Sequence, residues 1–299
     1  MKEVLVGSAC AIALALLAGC SAEQPAGPAP ATRPLDPTAA DLVARAGSYY
    51  ADEQVLQDAE ATLVHRCMTT RGFRRPPPAP AAPVSHDEEW RPDPAHRRTD
   101  GYGLARAGRG EPPDPYFVAL APAHQERYQR ELVGDMARRA TLDLPSGPQL
   151  SYPTTGCLAE SRAQLYGDVM EATRVTSVTQ DLHNTVYLAA QADPEYRRTL
   201  ARWADCMKRR GHPYGSPQQA RNALAAERRS AAPTAAQRHE VAVAVADAEC
   251  AAEVALPGTF ESLLRRHAEL LPEAQRAELN RLATSRAAAL RHARQVAQR

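Results

Sequence analysis

Apolar residues recur on one helical face along most of this chain. Leu56, Ala59, Leu63 and Cys67 stand at i, i+3, i+7 and i+11, and Val175, Val178, Leu182 and Val186 repeat that spacing. Val243, Ala246, Cys250 and Val254 repeat it again, while Tyr196, Leu200, Trp203 and Met207 keep one face with Cys206 beside the stripe. Punctuation agrees with periodicity. Arg71-Gly72 and Arg209-Arg210-Gly211 place cations at the negative end of a helix and a glycine just past it, and Pro76 and Pro213 follow. Asp193-Pro194 reads as an N-cap with proline at the first helical position. Ser216 to Gln219 and Thr234 to Gln237 both have capping-box spacing. The pattern predicts an all-α fold. Helices are expected over Pro37–Arg71, Ala121–Ala140, Cys157–Tyr166 and Asp168–Ala192, with a helix-rich tail from Thr259. The tail stripe Leu279, Leu282, Ala289, Ala293, Val296 is broken by Arg286 and is too short for a coiled coil. Between helices, Arg74–Pro115 reads as a long Pro/Gly-rich irregular segment, either a functional excursion or disorder.

The N-terminus has a different logic. Val4 to Leu17 is an apolar run too short to span a bilayer but suited to the core of a cleaved signal. It ends in Leu17-Ala18-Gly19-Cys20, the pattern of a bacterial lipobox. Cleavage before Cys20 removes residues 1–19, Cys10 among them, and leaves a diacylglyceryl thioether on Cys20. Two acyl chains suffice for stable anchoring. The expected location is the extracytoplasmic face of the cell membrane, with 20–38 as a Pro-rich tether. Residues 39–170 then form a first helical unit, containing the irregular segment 74–115, and 171–299 a second unit with the C-terminal helices.

Cys67, Cys157, Cys206 and Cys250 remain, an even set that reads as disulfides in an exported protein and allows three connectivities. Cys67-Met68 and Cys206-Met207 both continue as Cys-Met-x-x-Arg-Gly, while Cys157 and Cys250 both open Cys-x-Ala-Glu. This alternation favours Cys67–Cys157 and Cys206–Cys250, one bridge in each of two related units. Such bridges act as fold staples.

The lipobox, the Cys-Met-x-x-x-Gly helix ends, Gly156-Cys157 before Leu165-Tyr166-Gly167, the Trp203 to Met207 segment and the Ala244 to Cys250 helix occur together. In this combination the chain resembles a group of lipoproteins and secreted proteins from high-GC Gram-positive bacteria (actinobacteria). Pro257-Gly258 departs from the longer helix expected after Cys250. The resemblance implies fold and location, and no activity.

Composition narrows the function further. A net charge of +1 argues against nucleic acid as a partner. Lys2 and Lys208 are the only lysines among many arginines, a bias of genome composition and not of phosphate recognition. The nine histidines show no zinc spacing, no Gly-x-Ser-x-Gly elbow occurs, and Asp205 three residues before Lys208 excludes a Ser-x-x-Lys motif. No cofactor is expected. His86-Asp87-Glu88-Glu89-Trp90 is the one candidate for acid–base work on a glycan, against the plainer reading of a solvated acidic loop. The basic run Arg197 to Arg229 suits anionic headgroups or simply a solvated face, and Tyr49, Tyr50 and Tyr102 suit a groove or packing. The leading expectation is a non-enzymatic, membrane-anchored interaction protein for an envelope partner, with Arg74–Pro115 as contact element. A small-ligand-binding lipoprotein, its cleft between the two Cys-closed units, comes second, and a cell-wall enzyme using Asp87, Glu88 or Glu89 third.

Overall fold

The structure, a computed structural model, describes residues 34–74, 77, 91–107, 114–230 and 232–298. In chain order it contains α1 (Pro37–Ala44), α2 (Tyr49–Thr70), α3 (Pro94–Asp100), α4 (Leu104–Ala107), α5 (Pro115–Val118), α6 (Pro122–Val133), β1 (Arg139–Asp143), β2 (Gln149–Pro153) and α7 (Gly156–Tyr166). There follow α8 (Val169–Thr173), a π-turn (Arg174–Val178), α9 (Thr179–Ala192), α10 (Pro194–Arg209), α11 (Pro217–Glu227), α12 (Pro233–Glu253), α13 (Leu256–Glu269) and α14 (Glu273–Ala297). Among the described residues the fold is all-helical apart from one antiparallel hairpin, β1–β2, in which Thr141 faces Ser151.

Aspartate–proline pairs cap three of the described helices. Asp93 accepts from the backbone N–H of Ala95 (2.8 Å) and His96 (3.3 Å), Asp114 from Tyr116 (3.0 Å) and Asp193 from Glu195 (2.8 Å). Each carboxylate satisfies donors that a helix leaves open, with a proline already set at the first position. Ser216 Oγ caps Gln219 N at 3.1 Å, while Gln219 Oε1 accepts from Gly215 N at 2.6 Å, so the box closes one residue early. The second expected box fails. Its Thr234 lies inside α12, which begins at Pro233 without a side-chain cap.

Other expectations shift. The helix expected over Pro37–Arg71 is split, because Arg45 (φ 52) and Gly47 (φ 59) adopt left-handed backbone between α1 and α2. The helix expected over Ala121–Ala140 ends at Val133, and the chain then enters the hairpin, where Leu142 and Tyr152 alone are buried. The tail helix begins at Leu256, ahead of Thr259, with Pro257 in its first turn. Within the segment expected to be irregular, residues 91–107 hold α3 and α4, and α3 packs on α12.

The main core gathers Trp203, Phe260, Leu182, Leu264 and Leu279 from α9, α10, α13 and α14. A second cluster joins α2, α7 and α14 through Leu56, Leu63, Leu165 and Ala293. A third surrounds the first disulfide with Val64, Met68, Phe73 and Tyr128. The described residues form one compact unit, and the expected division at 170/171 falls inside α8.

Candidate functional site

The duplicated cysteine contexts are two copies of one local device. Cys67 bonds Cys157 and Cys206 bonds Cys250, each pair with Cα atoms 5.7 Å apart. Both leading helices end in the same way. Phe73 N donates to Met68 O and Gly72 N to Thr69 O, and His212 N and Gly211 N donate likewise to Met207 O and Lys208 O. That is a Schellman motif, and it needs the left-handed glycine that both copies supply (φ 89 and 84). The arginine of Cys-Met-x-x-Arg-Gly reaches the glutamate of Cys-x-Ala-Glu. Arg71 pairs with Glu160, and Arg210 lies 4.0 Å from Glu253, which Arg209 also meets at 2.6 Å.

The second copy adds a buried polar network. One turn before each cysteine stand Trp203 and Asp247, and Trp203 Nε1 donates to Asp247 Oδ1 at 2.9 Å. Asp247 Oδ2 accepts from Arg97 Nη1 (2.9 Å) and Tyr102 Oη (3.1 Å), and Arg97 and Asp247 are fully buried. Burial raises the Asp247 pKa, opposed chiefly by Arg97 and then by the Tyr102 and Trp203 hydrogen bonds. Two turns earlier on α12, buried Glu240 accepts from Tyr102 N (2.9 Å), Leu104 N (3.0 Å) and Arg228 Nη1 (2.7 Å). Residues 91–107 are therefore tied into the core, and Tyr102 is a core residue, not part of a groove. No sequence signal beyond Asp93-Pro94 announced this.

A hollow of about 520 Å³ forms a groove between α2 and α7, whose far ends the Cys67–Cys157 bridge joins. One face of α2 supplies Glu53, Leu56, Glu60, Val64 and His65, at helical spacing. Leu158, Arg162, Leu165 and Tyr166 of α7 face it, with Leu132 of α6 and Thr176 of the π-turn nearby. The floor is apolar and the rim carries its own charge balance, with Arg162 Nε 3.1 Å from Glu60 Oε1. His65 Nδ1 is shielded and makes no hydrogen bond among the described residues. Burial raises the Tyr166 pKa, assisted by Glu53, so its hydroxyl stays protonated. π-turns concentrate at functional sites, and this one carries Thr176 into the wall. Volume and lining suit a small, largely apolar ligand.

The expected cleft lay between the two Cys-closed units, whereas this groove lies between the helices that the first bridge joins. Its residues were not expected to form a site. In sequence Leu56 reads as a core-stripe position and Leu165-Tyr166 as part of a motif, and the rest look like ordinary surface or core positions until α7 is placed beside α2. Of the expected candidates, Cys20 and the cluster 86–90 lie outside the described residues. Part of the basic run is engaged internally, while Arg197, Arg198, Arg202 and Lys208 are exposed. Arg209 and Arg210 meet Glu253 and Glu249, Arg228 meets Glu240, and Arg221 lies 5.0 Å from the Tyr102 ring centroid. Tyr49 and Tyr50 stack edge-to-face, 5.1 Å between centroids. Among the described residues no cluster of His, Cys, Asp and Glu is placed to hold a metal ion, and no helix is long and apolar enough to cross a membrane.

Neither a protein-family model, nor a curated protein, nor a solved structure matches this chain.

Proposed function

We propose that this protein is a lipid-anchored binding protein of the extracytoplasmic face of the cell membrane, non-enzymatic, with the α2–α7 groove as the site of a small ligand. The observation that carries the ligand reading is the groove itself: about 520 Å³, with an apolar floor and a few polar groups at its edge. The anchor rests on the lipobox ending in Cys20, on the Pro-rich tether behind it and on the resemblance to actinobacterial lipoproteins. Anchoring through Cys20 makes the membrane a standing partner. An envelope protein as a further partner has lost part of its expected contact element, since residues 91–107 are bound into the core.

The test is purification of the oxidised protein from membranes, followed by mass spectrometry of extracted small molecules. Ala61→Phe, which narrows the groove, serves as comparison, with circular dichroism to confirm folding. A small molecule that co-purifies with the wild type and is depleted in Ala61→Phe supports the reading; equal recovery from both defeats it. Cys20→Ser should move the protein from the detergent to the aqueous phase in a partition assay, and retention in the detergent phase would remove the anchor.

A further inference from the structure

The groove adjoins a second hollow of about 160 Å³, and the two share Glu53, Tyr166 and Thr176 as walls. The chemistry changes from one to the other. Leu56, Val64, Leu132, Leu158 and Leu165 line the larger, while Arg45, Arg286, Tyr49 and Gln180 stand around the smaller. The two arginines differ in their partners. Arg286 is neutralised, 3.2 Å from Glu53 and 3.8 Å from Asp52, and Asp52 is further matched by Arg294 at 3.6 Å. Arg45 meets no carboxylate among the described residues. Its guanidinium donates to the Gln180 side-chain oxygen and lies 5.8 Å from the Tyr49 ring centroid. The uncancelled charge is felt nearby, where Arg45 adds to burial in lowering the pKa of His183. Arg45 also ends α1 in left-handed backbone (φ 52), a place that glycine or asparagine fills at less cost.

We infer that the ligand is an apolar-bodied carboxylic acid, its hydrocarbon laid between α2 and α7 and its carboxylate paired with Arg45. This rests on the ligand-binding reading above. A carboxylate presents two oxygens that match the guanidinium fork, a pairing that a hydroxyl cannot reproduce. Glu53, which faces both hollows, does not repel the headgroup because Arg286 holds its charge. The Tyr166 hydroxyl, protonated at the junction of the hollows, is a further donor.

The experiment is calorimetric titration of the oxidised protein, exported with Cys20→Ser so that it stays in solution, against octanoate and 1-octanol at neutral pH. These probes share a chain length and differ in the headgroup. Octanoate should bind about tenfold or more tighter than 1-octanol. Arg45→Gln should erase the difference and Arg45→Lys should keep part of it. Arg45→Gly should also erase it without lowering the melting temperature, because glycine relieves the left-handed backbone. Equal binding of the two probes to the wild type, or an acid preference that survives Arg45→Gln, overturns the carboxylate inference and leaves the ligand site standing. Binding of neither probe at millimolar concentration, with Ala61→Phe indistinguishable from wild type, overturns both.

Discussion

Asp247 holds three donors in a place that water does not reach: Arg97 at 2.9 Å, Trp203 at 2.9 Å and Tyr102 at 3.1 Å. Asp247→Asn keeps the shape and leaves Oδ1 for Trp203, but it strips the counter-charge from a guanidinium with no exposed surface. Breaking a buried pair from one side costs about 3–5 kcal/mol, because the remaining charge stays desolvated. The retained indole bond, itself worth about 1 kcal/mol, sets the expected loss near the lower bound. Arg97→Met alone removes the cation and leaves Asp247 with two neutral donors. The double variant leaves neither charge, and its loss should be about 2–3 kcal/mol smaller than the sum of the single losses. Urea unfolding of the oxidised protein, followed by circular dichroism and tryptophan fluorescence, measures all four corners. Arg210→Ala is the control, a pair at the surface worth about 1 kcal/mol or less. A loss below about 1 kcal/mol for Asp247→Asn, or additive single losses, would refute the network as the bond between residues 91–107 and α12.

Backbone and pH provide two further tests. Gly134 (φ 96) and Gly156 (φ 89) meet where α6 ends and α7 begins, and a Cβ on Gly134 would sit 2.1 Å from the Thr155 carbonyl oxygen. Gly134→Ala should cost at least about 3 kcal/mol, whereas Gly147→Ala, equally left-handed but in open space, should cost only about 1–2 kcal/mol; equal losses in thermal unfolding would remove the close approach as the cause. His183 is buried with its Nδ1 on the Val43 carbonyl, and burial, then Arg45, lowers its pKa to about 4. The unfolded chain, with a pKa of about 6.5, takes up the proton first, so stability present above that value is lost as pH falls toward 4, by about 3 kcal/mol. His183→Gln should flatten this slope in unfolding free energies measured from pH 7 to 4.5, and parallel profiles would exclude His183.

The disulfide pairing was legible because the chain states each half of a staple twice; the Arg–Glu contacts across each staple emerged only from the structure. Asp193-Pro194 was legible as a helix start by the same physics that later proved to operate at Asp93-Pro94 and Asp114-Pro115. Those two were hidden by the prolines and glycines around them, whose density suggested irregular chain throughout. The hairpin escaped for another reason. Only Leu142 and Tyr152 are buried in its strands, too few for a period of two to rise above background, although Pro145-Ser146-Gly147 signalled a turn. The break after Ala44 has no proline and depends on Arg45 adopting a conformation that arginine disfavours, which no local rule anticipates.

The two staples are alike in sequence and unlike in what they hold. In the chain-entropy model a loop of 44 residues contributes about 4 kcal/mol and one of 90 about 4.6 kcal/mol. Energetics alone therefore do not separate them. Surroundings do. Cys206 and Cys250 are buried beside the Trp203–Asp247 bond, at the centre of the main core. Cys67 is only half-buried and Cys157 fully so, and their bridge joins the two helices that wall the groove. One copy of the device thus fixes the core and the other fixes the spacing of the groove walls. A helix pair with an apolar cleft between its facing stripes would ordinarily close on itself to bury that surface. Here α14 covers the neighbouring face of α2, the Schellman turn stops α2 at Thr70, and the bridge with its Arg71–Glu160 pair sets where α7 crosses. The cleft stays open because both walls are anchored elsewhere.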